Sequence, residues 1–221
     1  MKKALLLSVV FIGCLRLLHA QQDRSFVLSQ FSFEDTAGHK YNLDALKGKV
    51  VFVDCWFPGC PPCRAEMPYS QLLQKRLHAM QMDSNIVFVT ISFKQSREEW
   101  LAALHRLPMP NAVHLYSPAS TYEITMAGGN YPTYRIFNTK GELDVQPCEA
   151  PSSIGSIDFV LFATQNGLGV KKATELFLSQ KDITQDKLTL IKSPLLRTFW
   201  KKYFDNLDVF QKDIDALRKT N

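Results

Sequence analysis

The sequence lacks most of what would place it among nucleic-acid binders, membrane channels, repeat proteins or zinc proteins. Its formal charge is only +5, from 26 basic and 21 acidic residues. Lys2, Lys3 and Arg16 stand in the first twenty residues, which hold no acid; without them 23 basic residues face 21 acidic ones. A chain that near neutrality gives no support for nucleic-acid binding. After the first twenty residues no stretch is long and apolar enough to cross a bilayer. There is no internal repeat and no low-complexity tract. Histidine is scarce, and His39, His78, His105 and His114 show no paired metal spacing. Cysteine is scarce too, five in all, with a single C-x-x-C. A structural zinc site needs four ligands, so that pair alone does not make one. The reading calls for no metal and no cofactor.

What is present fits one domain with extra elements, or one domain plus a small appendage: 221 residues, 46% apolar, enough for a sizeable core. The first twenty residues have the form of an export signal. Lys2 and Lys3 make a positive start, Ala4 to Leu15 an apolar run, and Leu18, His19 and Ala20 a cleavage site after Ala20. A retained anchor is the first alternative, though the run is short against the roughly 20 apolar residues a span needs. A lipoprotein with Cys14 as the lipid site is the second. Phe11 and the Leu15-Arg16 continuation suit that less well. The primary expectation is therefore a periplasmic protein made of residues 21–221.

Residues 24–33 and 39–43 are expected to form an N-terminal hairpin around the Asp35–Gly38 turn. Residues 50–56 (VVFVDCW) and 86–93 (IVFVTISF) are β-branched, aromatic runs of the kind that form buried central strands. A helix is predicted from Pro61, with Ala65, Met67, Leu72, Leu73, Leu77 and Met80 on one face and a kink at Pro68. Ser96 and Glu99 form a capping box for another helix. Shorter strands follow at 112–116 and 133–137, a short helix at 120–126, and a turn at 138–141. Strands alternating with helices imply an α/β sheet closed by a hairpin. After residue 168 the pattern is helical throughout. Residues 194–218 carry a wide apolar stripe, either packed on their own domain or serving self-association.

Three of the cysteines crowd into nine residues: Cys55, Cys60 and Cys63. That suits chemistry better than stapling. Cys60 falls where a buried strand turns into a helix. Unpaired N–H groups and the helix dipole favour an anion there, so its thiol pKa should fall below the free value of about 8.5. Pro61 and Pro62 suit the first helical turn. Cys63, three residues on, comes back to the same side, one turn deeper and less exposed. Cys60 would attack a substrate disulfide and Cys63 would resolve the mixed disulfide. A plain structural disulfide remains the alternative.

Residues 53–63 (VDCWFPGCPPC) resemble the thioredoxin active-site segment, and Arg64 to Pro68 (RAEMP) extend the likeness to the exported TlpA/ResA-like branch. Leu46 to Lys49 ahead of the strand, and Tyr131-Pro132-Thr133 before another strand, resemble the same branch. The resemblance covers about residues 25–166. It implies a thioredoxin-like α/β fold, a central mixed sheet flanked by helices. It adds an N-terminal hairpin to that fold and leaves the helical C-terminal extension, residues 169–221, unexplained. It implies a thiol–disulfide oxidoreductase acting outside the cytoplasm on protein thiols and disulfides, with a membrane-bound redox partner. Reduction of apocytochrome cysteines for haem attachment is one candidate task.

The same resemblance assigns roles. Pro132, if its peptide bond is cis, lies against the cysteine pair, and with Tyr131 and Trp56 it shapes the substrate groove. Asp54 matches a buried carboxylate. A charge inside an apolar strand should have a raised pKa and could move a proton for Cys63; a solvent-facing Asp is the alternative. Glu66 matches a helix glutamate that tunes the cysteine pair; a solvated glutamate is the alternative. Gly59 departs from the family by replacing a bulky residue before the first cysteine. Cys55 is expected to be a buried inert thiol, and Cys148 free or linked to a partner. Two other functions compete: a peroxiredoxin-like peroxidase, which usually needs Thr where Phe57 stands, and a non-catalytic binding module working through its C-terminal helices.

Overall fold

The computed structural model describes residues 26–220, apart from 108, 110, 119–121, 145, 147, 181 and 182. The expected signal segment, its cleavage site and Cys14 lie outside the described residues. No helix among the described residues is long and apolar enough to cross a membrane.

The strands are β1 (Ser32–Glu34), β2 (Lys40–Asn42), β3 (Val50–Trp56), β4 (Ile86–Ser92), β5 (Ala112–Tyr116) and β6 (Thr133–Phe137). They form a six-stranded mixed sheet in the order β2-β1-β5-β4-β3-β6. β3 pairs in parallel with β4, β4 in parallel with β5, and β6 runs antiparallel to β3. Every residue of β3 is buried, as its uninterrupted apolar run requires of a central strand covered on both faces. The helices are α1 (Pro61–Ala79), α2 (Arg97–Arg106), α3 (Glu123–Met126), α4 (Ser156–Gln165), α5 (Val170–Leu178), α6 (Pro194–Asp205) and α7 (Leu207–Thr220). α1 continues through Pro68 without a break.

The two faces of β3 feed two cores, because successive side chains on a strand point to opposite sides. Val51, Val53 and Cys55 pack with Leu28, Phe31, Phe33 and Phe137. Val50 and Phe52 pack with Leu73 and Leu77 of α1 and with α4. A third cluster lies beyond the carboxyl end of β3, where Trp56, Cys60, Cys63 and Met67 meet Trp100 of α2. α1 and α4 are joined by a fully buried ion pair: Arg76 donates to both oxygens of Asp158 at 2.7 and 2.8 Å.

The C-terminal segment differs from the sequence expectation in two ways. It is not helical throughout, since a 3-10 turn at Gln185–Leu190 follows α5. The stripe at 194–218 is not one helix but two, separated at Asn206, whose side chain donates to the Lys202 carbonyl at 2.9 Å. The stripe is turned inward. Leu196, Phe199 and Trp200 join the core of Val50 and Phe52, while Phe210 and Ile214 of α7 close over Leu72 of α1. The packed alternative is therefore the one the fold adopts.

Candidate active site

β3 ends at Trp56, and Phe57–Gly59 turn the chain into α1. Cys60 is the N-cap, with extended backbone (φ −89°, ψ 102°), followed by Pro61 and Pro62 in the first turn. Neither proline has an N–H to offer, so the first available helix donor is that of Cys63. It points at the Cys60 sulfur, 3.2 Å away. Cys60 and Cys63 are joined by a disulfide, their Cα atoms 5.3 Å apart. The sulfur thus takes the place that an Asp or Ser oxygen takes in an ordinary cap. Negative charge arriving on it after reduction meets that N–H and the positive end of a 19-residue helix.

Cys63 is expected to be the less exposed of the two; both cysteines are buried, Cys60 at 2% and Cys63 at 1% exposed. The pair sits in the apolar cluster of Trp56, Met67 and Trp100, with Phe57 and Tyr131 packed at its edge. In the disulfide form neither sulfur needs water, and the aromatic rim closes over both.

The Tyr131–Pro132 peptide bond is cis. Pro132 and Pro62 both line a groove of about 380 Å³, whose wall also includes Glu66, Tyr134 and Cys148. Tyr131 meets Phe57 edge-on, their ring centres 5.1 Å apart, and its hydroxyl donates to Glu123 of α3 at 2.9 Å. Trp56 is buried beneath the turn. Trp56 shares the cluster of the cysteine pair and Tyr131 packs at its edge, while Pro132 lines the neighbouring groove.

Asp54 lies within β3, opposite Tyr134 of β6 and Thr90 of β4. It is buried at 3% exposure, and its Oδ1 has no hydrogen-bond partner among the described residues. Burial, with a smaller contribution from the charge of Glu66, pushes its pKa up to about 7. Glu66, one turn beyond Cys63, is not a free surface glutamate. Its two oxygens accept the Ser152 N–H at 3.1 Å and the Ser152 hydroxyl at 2.8 Å. No local pattern announces Ser152, because it approaches from the loop before α4. Cys55 is free and buried on the opposite face, its thiol pKa raised by burial. Cys148 is also free; it pairs with Tyr134 across a β-bridge, and burial raises its thiol pKa.

Two features escaped the sequence reading. Gln95 reaches from the loop after β4 to accept the Gly59 N–H, and Lys94 lies over the Phe57 and Tyr131 rings at 5.3 and 4.7 Å. The run Ser92 to Ser96 carries no motif that would mark either residue.

The mixed sheet, the helix-capping cysteine pair and the cis-proline loop are those of thioredoxin-like thiol–disulfide oxidoreductases. The chain belongs to the Redoxin family, which matches residues 25–144. It is 28% identical over 111 residues to the thioredoxin-like protein YneN of Bacillus subtilis, a match covering 50% of this chain and 63% of that protein. It is 49% identical over 39 residues to the thiol-disulfide oxidoreductase ResA of the same organism, covering 18% of this chain and 22% of ResA. The matched lengths stay below two thirds of both relatives. In three dimensions it is similar to a Bacteroides vulgatus chain assigned to the thiol-disulfide oxidoreductases, with TM-score 0.53, 22% identity and 61% and 91% of the two chains covered. It is also similar to a Chlorobium tepidum chain assigned as a DsbE-type thiol:disulfide interchange protein, with TM-score 0.54, 17% identity and 64% and 97% covered. These structural likenesses speak to the fold.

Proposed function

We propose that this protein exchanges disulfides with protein thiols outside the cytoplasm, through Cys60 and Cys63. The observation that carries the reading is the Cys60 sulfur at the head of α1, receiving the Cys63 N–H and bonded to Cys63. In the reducing direction the Cys60 thiolate attacks a substrate disulfide. One substrate sulfur leaves as a thiolate, and the other is held in a mixed disulfide. Cys63, once deprotonated, attacks the Cys60 sulfur and expels the second substrate thiolate. Two electrons pass to the substrate, and the Cys60–Cys63 bond is restored. In this reading Asp54 takes the Cys63 proton, since a buried carboxyl with a pKa of about 7 can accept one near neutral pH. Pro132 and Tyr131 form the surface that meets the substrate chain, with Trp56 packed beneath it, and the charge of Glu66 helps to raise the Asp54 pKa.

Export rests on the form of residues 1–20. A membrane-bound redox partner would then return the pair to its working state. Reduction of apocytochrome cysteines is the first task to examine, on the resemblance to the TlpA/ResA-like branch. Insulin reduction with dithiothreitol tests the chemistry itself. The mature chain is expected to accelerate it, and Cys60→Ser and Cys63→Ser are each expected to abolish the acceleration. A parent chain without activity would favour a binding module instead.

A further inference from the structure

We infer that Gln95 is a positioning residue for Cys60, taking over the space left by the absent side chain at Gly59. The inference rests on Cys60 being the attacking sulfur. Gly59 immediately precedes that cysteine and is exposed. A Cβ built on it would lie 3.0 Å from Oε1 of Gln95, with the rest of the amide at 3.5 Å. The Gln95 amide thus occupies the room into which a side chain at 59 would grow. Its Oε1 accepts the Gly59 N–H.

The amide is itself held. Its Nε2 donates to Glu99 at 3.3 Å, and Glu99 is fixed by the capping box of α2, where it accepts the Ser96 N–H at 2.9 Å. The Gln95 carbonyl accepts the Tyr116 hydroxyl at 3.0 Å. Gln95 has φ 73°, in the left-handed region that glutamine seldom adopts. Such a backbone persists where the surroundings over-determine it, and these outliers cluster at working sites. From the next position Lys94 reaches both Phe57 and Tyr131. One loop therefore braces both segments that frame the disulfide.

The chemical consequence falls on the sulfur. The Phe57–Gly59 turn carries a flexible glycine, and its own backbone closes it with one bond, from the Cys60 N–H to the Phe57 carbonyl at 3.0 Å. The Gln95 bond to the Gly59 N–H restrains the Pro58–Gly59 peptide and so the turn that presents Cys60 to the Cys63 N–H. Without it the thiolate is less well held at the helix terminus, so the Cys60 pKa rises and attack at neutral pH slows. The approach to Cys60 is walled on this side by an amide, where the family commonly has a bulky side chain.

The test is the pH dependence of Cys60 alkylation by iodoacetamide, followed by peptide mass spectrometry in a Cys63→Ser background. Gln95→Asn keeps an amide and suits a positive φ but falls one methylene short; Gln95→Gly removes the side chain. Both are expected to move the profile up by about half a pH unit, which on the acid side of its midpoint means about threefold less thiolate and about threefold slower alkylation. The unfolding temperature should change little, since relief of the positive φ offsets the lost amide bonds. Parent-like profiles in both variants would overturn the inference. A shift in Gln95→Gly alone would also overturn it, by assigning the effect to the backbone. Insulin reduction by the parent reports separately on the exchange reading.

Discussion

Asp54 shows how a single residue can couple stability to chemistry. Its folded-state pKa of about 7 stands above the ordinary 3.8, chiefly because the carboxylate would be desolvated. The unfolded chain gives up this proton near pH 4, while the folded chain keeps it until about pH 7. The group's contribution to stability is therefore full below pH 4, falls as pH rises toward 7, and stays at its low value above. Asp54→Asn should consequently be more stable than the parent at pH 8, by on the order of a few kcal/mol, since one pKa unit is worth about 1.4 kcal/mol. The gain should shrink toward pH 4. Urea unfolding at pH 5 and pH 8 reads this directly; a gain independent of pH would mean that the carboxyl is not titrating in the fold. Disulfide exchange by the same variant should fall, since the proposed proton acceptor for Cys63 is removed. Asp54's burial was legible in the sequence, because it interrupts an apolar strand run. The anchoring of Glu66 was not, since its partner Ser152 lies 86 residues away.

At the scale of elements, the junction of α1 with α4 rests on Arg76 and Asp158. Both side chains are fully buried, and Asp158 also accepts the Gly155 N–H at 2.9 Å ahead of its own helix. Removing one member of a buried pair leaves the other charged and unsolvated, which costs about 3–5 kcal/mol. Arg76→Met should lose that much in denaturant unfolding, and Arg76→Met with Asp158→Asn should recover part of it. A loss below about 1 kcal/mol would fit an exposed pair instead. The helices themselves could be placed from periodicity, and α2 from its Ser96–Glu99 box, which the fold contains. Arg76 read alone is one more cation on a helix. Only the approach of α4 turns it into an interior charge.

For the whole molecule, the question is whether the chain after residue 168 is an appendage. Val170, Ala173, Phe177, Ile191, Leu196, Phe199 and Trp200 are buried in one core with Val50, Phe52, Leu73 and Leu77. Each large apolar side chain so buried contributes about 1.5–3 kcal/mol. A domain's net stability is about 5–15 kcal/mol, so losing this set exceeds what the remainder can absorb. A chain ending at residue 168 should show no cooperative thermal transition and should bind a hydrophobic dye. A transition at the parent temperature would instead support 21–168 as an independent domain.

The sequence by itself determined the strand–helix order, the burial of β3 and the placing of two sulfurs at a helix start. These depend on local periods, caps and proline, which neighbouring residues carry among themselves. Tertiary structure alone decided that both sulfurs are covered, that Ser152 holds Glu66, that Gln95 supports Gly59, and that the last helices complete the core. Each of these is a meeting of segments distant along the chain. The energy of such a contact depends on where the whole backbone brings its partners, and no local pattern records that.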